Sequence, residues 1–238
     1  SDKKDFRYDA DDLMDFYADK NIDLLLLVNP DNPSGNFITI DNVIKLAAWC
    51  KDKGIFILVD ESFVDFTEGF RNNSLLHNEI LESFPNLSVM KSISKSYGVP
   101  GLRLGVFASS SQATIAQMKK DVAIWNINSF AEFYMQIYGK YEADYHKACV
   151  KFAAERDRFF CRLQEIPYLH VMPSQANYFL CEITERFTST ELTRILLDHD
   201  VLISNCGRKK NMAGKNLIRL AVRSAQDNDR LIEILKSL

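Results

Sequence analysis

Two unbroken apolar runs constrain this chain more than any other feature. One is LLLLV at residues 24–28, which stops at Asn29-Pro30. The other is IFILV at 55–59, which stops at Asp60-Glu61. Apolar runs of this length without alternation predict strands buried on both faces, as in a parallel sheet. They are far too short to span a bilayer. Between them, residues 38–54 carry apolar side chains at three and four spacing. This is an amphipathic helix, with Thr39 or Asp41 to cap its start and Gly54 to stop it. A short helix over 11–20 precedes the first strand. A helix near 74–84 leads to a third strand at 87–90, and 102–109 reads as a fourth. Strands alternating with helices at this pitch mean βαβ units and a mainly parallel sheet.

The second half has a different character. Residues 112–122 read as helical. From Ser129 to Leu163 the only helix breaker is Gly139, so one long helix with a kink there is expected, long enough to bridge two domains. The tail then offers strands at NYFLCEI, VLIS and NLIRLAV, and helices at 188–200 and 228–238. The expectation is an α/β chain with a partial large domain over 1–128, an interdomain helix over 129–165 and a small α+β domain over 166–238. A length of 238 residues allows one large domain or one and a half. The charge balance, 29 basic against 32 acidic residues, speaks against nucleic acid or an anionic membrane as the main partner. The polar start SDKKDFRYDADD is no signal peptide. Five cysteines without a CxxC pair suit reduced thiols in the cytoplasm, and four scattered histidines make no metal-ligand pattern.

Parallel α/β sheets bind ligands at the carboxyl ends of their strands. Three such ends are polar here: Asn29-Pro30-Asp31-Asn32-Pro33-Ser34-Gly35, then Asp60-Glu61-Ser62-Phe63, then the stretch from Lys91 to Arg103, KSISKSYGVPGLR. Together they bring amides, carboxylates, hydroxyls, a lysine and an arginine to one crevice. Such a set suits a ligand with an anionic end, a cationic ring nitrogen and an electrophilic carbon.

In this order and spacing, NPxNP[ST]G, a strand-end Asp-Glu and SxSKxxGxxGxR resemble the fold-type I pyridoxal-phosphate enzymes. Within them the chain is similar to the class I/II aminotransferases, nearest the histidinol-phosphate aminotransferase and threonine-phosphate decarboxylase branch. WNIN at 125–128, PSQANYFL at 173–180 and NLIRLAVRS at 216–224 strengthen the placement. The resemblance implies pyridoxal 5'-phosphate as cofactor. It implies that Lys95 forms the Schiff base with the pyridoxal aldehyde and then moves the Cα proton, as a deprotonated amine in a partly buried site. A lone lysine is ordinarily a surface residue, and Lys95 stands out through its motif. Asp60 would pair with the pyridine nitrogen, although an aspartate after a strand also suits a helix cap. Ser92 and Arg103 would hold the cofactor phosphate, with Ser94 a second candidate. Asn32 would donate its amide to the ring O3' oxygen. Arg219 would bind the substrate carboxylate, since a charge inside an apolar strand calls for a partner. Asn177 would line the substrate side. Asn29 reads as a turn residue and Glu61 as structural or surface-exposed.

Three features depart from the family pattern. Phe63 stands where many relatives carry a tyrosine that bonds O3'. Ser204 stands near where relatives with phosphorylated substrates carry an arginine. Arg208, Lys209 and Lys210 are close enough to substitute, although a solvated basic loop accounts for them as well. The family's N-terminal portion is not seen, so a fragment with an exposed sheet edge is expected. Three functions follow. One is transfer of an amino group between an amino acid and a 2-oxo acid, favoured by the loss of the arginine near Ser204. Another is decarboxylation of a phosphorylated amino acid. The last is a non-catalytic, aminotransferase-like ligand sensor. The resemblance also implies a homodimer for the intact protein.

Overall fold

The computed structural model describes residues 4–209 and 212–238. Its first half alternates as expected. Helix α1 (Ala10–Tyr17) precedes β1 (Leu24–Val28), α2 (Ile40–Asp52), β2 (Phe56–Asp60), α3 (Asn78–Ser83) and β3 (Leu87–Ser92). A short turn of helix, α4 (Ile93–Ser96), then leads to β4 (Gly105–Ser109). The sheet order is β1-β2-β3-β4. The first three strands are parallel, with Val28 opposite Asp60 and Asp60 opposite Met90, so their carboxyl ends align. β4 is antiparallel to β3. The link between these two strands contains only α4 and a 3-10 turn at Pro100–Leu102, with no crossover helix to carry the chain back for parallel pairing.

One face of this sheet packs on α2. Leu25, Leu27, Ile57, Val59, Leu87 and Val89 meet Leu46, Ala47 and Cys50 there, all buried. The other face is open at the edge strand, where Leu24 is 54% and Leu26 56% exposed. Burial of β1 on both faces, expected from its unbroken apolar run, is therefore corrected to burial on one. An apolar run fixes what a strand can bury, and only a neighbouring layer decides what it does bury.

Helix α5 (Gln112–Asp121) starts at Ser111, whose hydroxyl accepts from Thr114 N at 3.2 Å. The expected continuous helix over 129–163 is interrupted. α6 (Ser129–Tyr138) and α7 (Glu142–Leu163) are separated at 139–141, where Lys140 N and Tyr141 N bond three residues back to Ile137 and Tyr138 carbonyls. The last portion holds β5 (Leu169–Val171), β6 (Tyr178–Ile183), α8 (Ser189–Asp198), β7 (Ser204–Asn205), β8 (Leu217–Ala221) and α9 (Ala225–Ser237). These strands form a second sheet, order β5-β6-β8-β7, with antiparallel pairing throughout. β5 was not expected, and the expected VLIS strand shrinks to Ser204–Asn205. The second core joins Phe159 and Leu163 of α7 to Phe179, Leu192, Ile218, Leu220, Ile232 and Leu235.

α7 serves both halves. Its Phe152 packs against Phe63, Phe66 and Tyr178, and its buried Arg156 donates to the Phe66 carbonyl at 2.7 Å. A buried guanidinium needs such acceptors to offset its lost hydration. Among the described residues no helix is long and apolar enough to cross a membrane.

Candidate active site

Two of the three polar strand ends of the first sheet meet one wall of the second, and the third is tied to its neighbour. After β1 the chain makes a tight turn that its own side chains hold. Asn29, buried, donates to the Ile38 carbonyl at 2.8 Å and accepts from Ile38 N at 2.9 Å. Asp31 accepts from Ser34 N and Ser34 Oγ at 3.2 and 2.5 Å. Asn29 is thus a turn residue, as the sequence suggested. Gly35 adopts φ +72°, and a Cβ there would fall 2.0 Å from Ser174 Oγ. Glycine therefore lets the 173–177 loop close on this turn, where Gln175 N bonds the Gly35 carbonyl at 2.9 Å.

This closure delivers Arg219 to Asn32. From β8, the Arg219 guanidinium donates to Asn32 Oδ1 at 2.8 Å and lies 4.8 Å above the Tyr178 ring. Tyr178 in turn meets Phe63 edge-on at 5.2 Å and donates its hydroxyl to the Asp31 carbonyl at 2.9 Å. Burial, and next the Asp31 carboxylate, push the Tyr178 phenol well above its ordinary value, so it stays neutral. Asn32 spends its oxygen on Arg219, and its NH2 makes no hydrogen bond among the described residues. Asn177 directly precedes Tyr178. Its buried Oδ1 has no partner among the described residues, an acceptor awaiting a donor.

After β2, Asp60 Oδ1 accepts from Ser62 N at 2.9 Å and Ser62 Oγ at 2.5 Å. The Ser62 hydroxyl also accepts from Ser92 N at 2.9 Å, tying the second strand end to the third. Asp60 Oδ2 takes no hydrogen bond from the described residues. Glu61 points the other way. It is buried, accepts from Ser74 Oγ and Leu75 N at 2.6 Å each, and burial raises its carboxyl above the usual range.

At the end of β3, two lysines four residues apart differ completely. Lys91 is buried and paired with Asp65 at 2.7 Å. Lys95 is exposed, not partly buried as expected, with Nζ 4.7 Å from the centre of the Phe63 ring. Among the described residues it has no ion pair. Ser92 lies at the strand end, half-buried. Ser94 is buried and donates to the Leu104 carbonyl at 3.3 Å, so its hydroxyl is turned inward. Arg103 is exposed at φ +57°, donating to the Pro100 carbonyl at 3.3 Å, two residues before Gly105 pairs with Ser92.

The structure thus joins Asn32 to Arg219, and Asp60 through Ser62 to Ser92 and the Lys95 turn. Sequence reading missed Ser62, Tyr178, Asp65 and Ser96. Ser62 had one local signal, its place two residues after a strand-end aspartate, where a hydroxyl can cap the carboxylate. Ser204 is opposite Arg219 in the β7–β8 pairing, which puts a hydroxyl rather than a guanidinium beside it. Lys209 is exposed. The Arg208 side chain and Lys210 lie outside the described residues.

A profile of the family "Aminotransferase class I and II" matches residues 1–235. The threonine-phosphate decarboxylase of Salmonella typhimurium is 31% identical over 227 residues, covering 92% of this chain and 58% of that protein. A decarboxylase structure from Sulfurospirillum multivorans superposes with a TM-score of 0.88 at 26% identity, over 98% of this chain and 66% of that one. The histidinol-phosphate aminotransferase structure from Clostridium acetobutylicum gives 0.86 at 26%, over 99% and 69%. The chain spans at most about three fifths of the length of the first curated relatives it matches, 38% to 61%. The matched family is pyridoxal-phosphate-dependent. The side chains present suit that group: Asp60 keeps an uncommitted carboxylate oxygen, Asn32 an uncommitted amide and Lys95 an unpaired amine, and the Asn177 oxygen is orphaned; ring contacts run from Lys95 through Phe63 and Tyr178 to Arg219, which bonds Asn32.

Proposed function

The chain belongs to the class I and II aminotransferase family, and from that premise we propose that the complete protein transfers an amino group between an amino acid and a 2-oxo acid. The observation that carries this reading is the meeting of Arg219 with Asn32, beside the open Lys95 amine and the half-engaged Asp60. When bound, the pyridoxal phosphate supplies an electron sink for charge that develops at the amino-acid Cα.

The residues divide the remaining work. Lys95 Nζ is the amine to which the cofactor would attach, and once released it would act within each half-reaction as the base that takes the proton from Cα or the acid that returns it there. Ser62 fixes Asp60 through Oδ1, so Oδ2 is aimed as the acceptor that keeps a proton on the ring nitrogen. Asn32 Nδ2 donates to the ring oxygen, its orientation set by Arg219. Arg219 offers its remaining guanidinium edge to the substrate carboxylate. Ser92, Ser94 and Arg103 are the phosphate candidates. Ser92 and Arg103 sit at the rim, and Ser94 would first have to release the Leu104 carbonyl. Phe63 contributes a ring face under Lys95 in place of a hydroxyl.

A second reading has a specific basis. Relatives named as phosphate-amino-acid decarboxylases match as well as the aminotransferases do. The two reactions use the same Lys95 and Asp60. Ser204 beside Arg219 favours the first, because a neutral hydroxyl is a poor grip for a substrate phosphate. We place the protein in the cytoplasm, where free thiols at all five cysteines persist. Its partner is a second copy of itself, supported by exposed Ile124, Trp125 and Phe130 at 94%, 92% and 78%.

The test is a pyridoxal-phosphate titration followed by visible absorbance, then borohydride reduction and peptide mapping. The adduct is expected on Lys95. Incubation with amino acids and 2-oxo acids then separates the readings. New amino acid from the oxo acid supports transfer, and release of carbon dioxide from a phosphorylated amino acid supports decarboxylation. No adduct on the complete protein would overturn both.

A further inference from the structure

Asp65 lies in a 3-10 turn, Val64–Phe66, that follows the second strand end. The turn is anchored by the Arg156 bond to the Phe66 carbonyl. Each oxygen of Asp65 has one job. Oδ1 accepts from Lys91 Nζ at 2.7 Å, and Oδ2 accepts from Ser96 Oγ at 2.8 Å. The lysine and aspartate side chains are only 10% and 9% exposed. Lys91 is the last residue of β3 on the core-facing row, and Ser96 is the neighbour of Lys95. One buried carboxylate therefore ties the rigid strand to the turn that carries the exposed amine.

Burial alone does not call for this arrangement. An apolar residue at position 91 would fill the same space without desolvating two charges. It would also leave no second carboxylate oxygen to hold Ser96. The turn's other anchors are Ile93, buried with Leu104 and Ala131, and the Ser62 bond to Ser92 N; none of them fixes the Ser96 end, since α4 has no side-chain cap and Ser94 reaches the Leu104 carbonyl only at 3.3 Å. Beyond Ser96, the Tyr97 ring stacks on Tyr145 of α7 at 4.2 Å and 16°. Burial and then Asp65 itself raise the Tyr145 phenol far above its ordinary value, so the ring that Tyr97 stacks on stays neutral.

We propose that Asp65, Lys91 and Ser96 are positioning residues, a buried clamp that fixes the α4 turn and so sets where Lys95 presents its amine. This rests on the pyridoxal-phosphate reading above. Lys95 leaves the turn one residue before the clamped serine, so rotation of the turn about its hinge at Ser92 would swing the amine away from the Phe63 ring. The clamp holds the far end of the turn at Ser96, and the Asp60–Ser62–Ser92 chain holds its start at Ser92 N. Held at both ends, the turn is pre-organised before any ligand arrives.

The test uses the complete protein, pyridoxal 5'-phosphate as probe, and three variants. These are Ser96→Ala, Ser96→Thr, and the double variant Asp65→Asn with Lys91→Met, which removes the pair without leaving a lone buried charge. Growth of the visible absorbance band and borohydride-trapped adduct on Lys95 are followed at fixed cofactor concentration. Hydrogen exchange of residues 93–98 is followed in the cofactor-free protein. Ser96→Ala is expected to slow trapping on Lys95 by about tenfold, the scale of a lost hydrogen bond to a charged group. It should also speed exchange of 93–98 well beyond any change in β1 and β2, with the thermal midpoint lowered by only a few degrees. Ser96→Thr should restore both readouts, and the double variant should match or exceed the loss. Wild-type trapping rates in both Ser96→Ala and the double variant would overturn the clamp while leaving the pyridoxal-phosphate reading intact. An adduct on Lys91 in the wild type would overturn it as well. No adduct on any lysine of the wild type would instead sink the cofactor reading, and the clamp with it.

Discussion

The two sheets of this molecule are finished differently. In the first, the edge strand β1 leaves Leu24 and Leu26 open to solvent. In the second, β6 is buried along its length except at Glu182. The first sheet is a platform whose candidate groups stand at its strand ends and on the turns that follow, and side-chain hydrogen bonds hold those turns. The second is a closed, well-packed wall that presents Arg219 from within a strand. The comparison teaches a division of labour. On the proposed function, the groups that would hold the cofactor come from the platform, and Arg219, which would bind the substrate carboxylate, comes from the wall.

The largest expected effect breaks the platform's chemistry outright. Lys95→Ala should lower turnover of the complete enzyme by on the order of 10³-fold or more. It should also abolish the reduced cofactor adduct, read by steady-state rates and peptide mapping. Turnover near wild type would show that another group carries the reaction. Packing comes next. Phe159→Ala, in the core of the closed sheet, should cost about 3–5 kcal/mol. Leu26→Ala on the open face should stay within about 0.5 kcal/mol. Denaturant titrations of the two variants check the pair, and equal losses would erase the contrast between the sheets. The wall's share of the site is a smaller effect. Arg219→Ala should raise KM for the amino acid by roughly ten- to a hundredfold, while the adduct still forms on Lys95. Loss of the adduct instead would show that Arg219 serves the cofactor side.

The smallest effect concerns how the wall is tied to α7. Glu155 titrates below its ordinary 4.5, first because Arg158 hydrogen-bonds its charged form. A carboxylate with a depressed folded pKa adds stability above its unfolded value and loses it as pH falls through the folded one. Acidification below about pH 4.5 should therefore weaken the α7–α9 junction, where Arg158 also bonds Asp229 at 2.8 Å. Glu155→Gln should flatten that acid limb by under about 1 kcal/mol, because the pair is partly exposed. Thermal midpoints measured from pH 7 to pH 3 on both proteins decide it.

Most of the platform was legible without coordinates, because its information is local. Apolar runs, a glycine-ended helix and polar strand ends are written within a few residues of one another. The same locality made Lys95, Asp60 and Asn32 stand out. The failures share a cause as well. Leu24 and Leu26 have the composition of buried residues, and exposure depends on a layer elsewhere. At Gly139 the sequence marked the place of the bend but not that the helix would stop there and restart at Glu142. Lys91 looks like a surface lysine in isolation, and its acidic partner is 26 residues away. Ser94 sits beside Lys95 in sequence as Ser92 nearly does, yet its hydroxyl points to a backbone carbonyl.

The sequence by itself determined the α/β class, the mainly parallel first sheet, the family resemblance and the set of polar groups at three strand ends. Short-range hydrophobic patterning and turn chemistry suffice for these. The tertiary structure alone decided that Arg219 meets Asn32 across 187 residues, and that Asp65 grips both Lys91 and Ser96. It also decided which lysine is buried and which is free. Those outcomes depend on where distant elements dock, and the energy of a charge depends on which partner and how much water that docking leaves it.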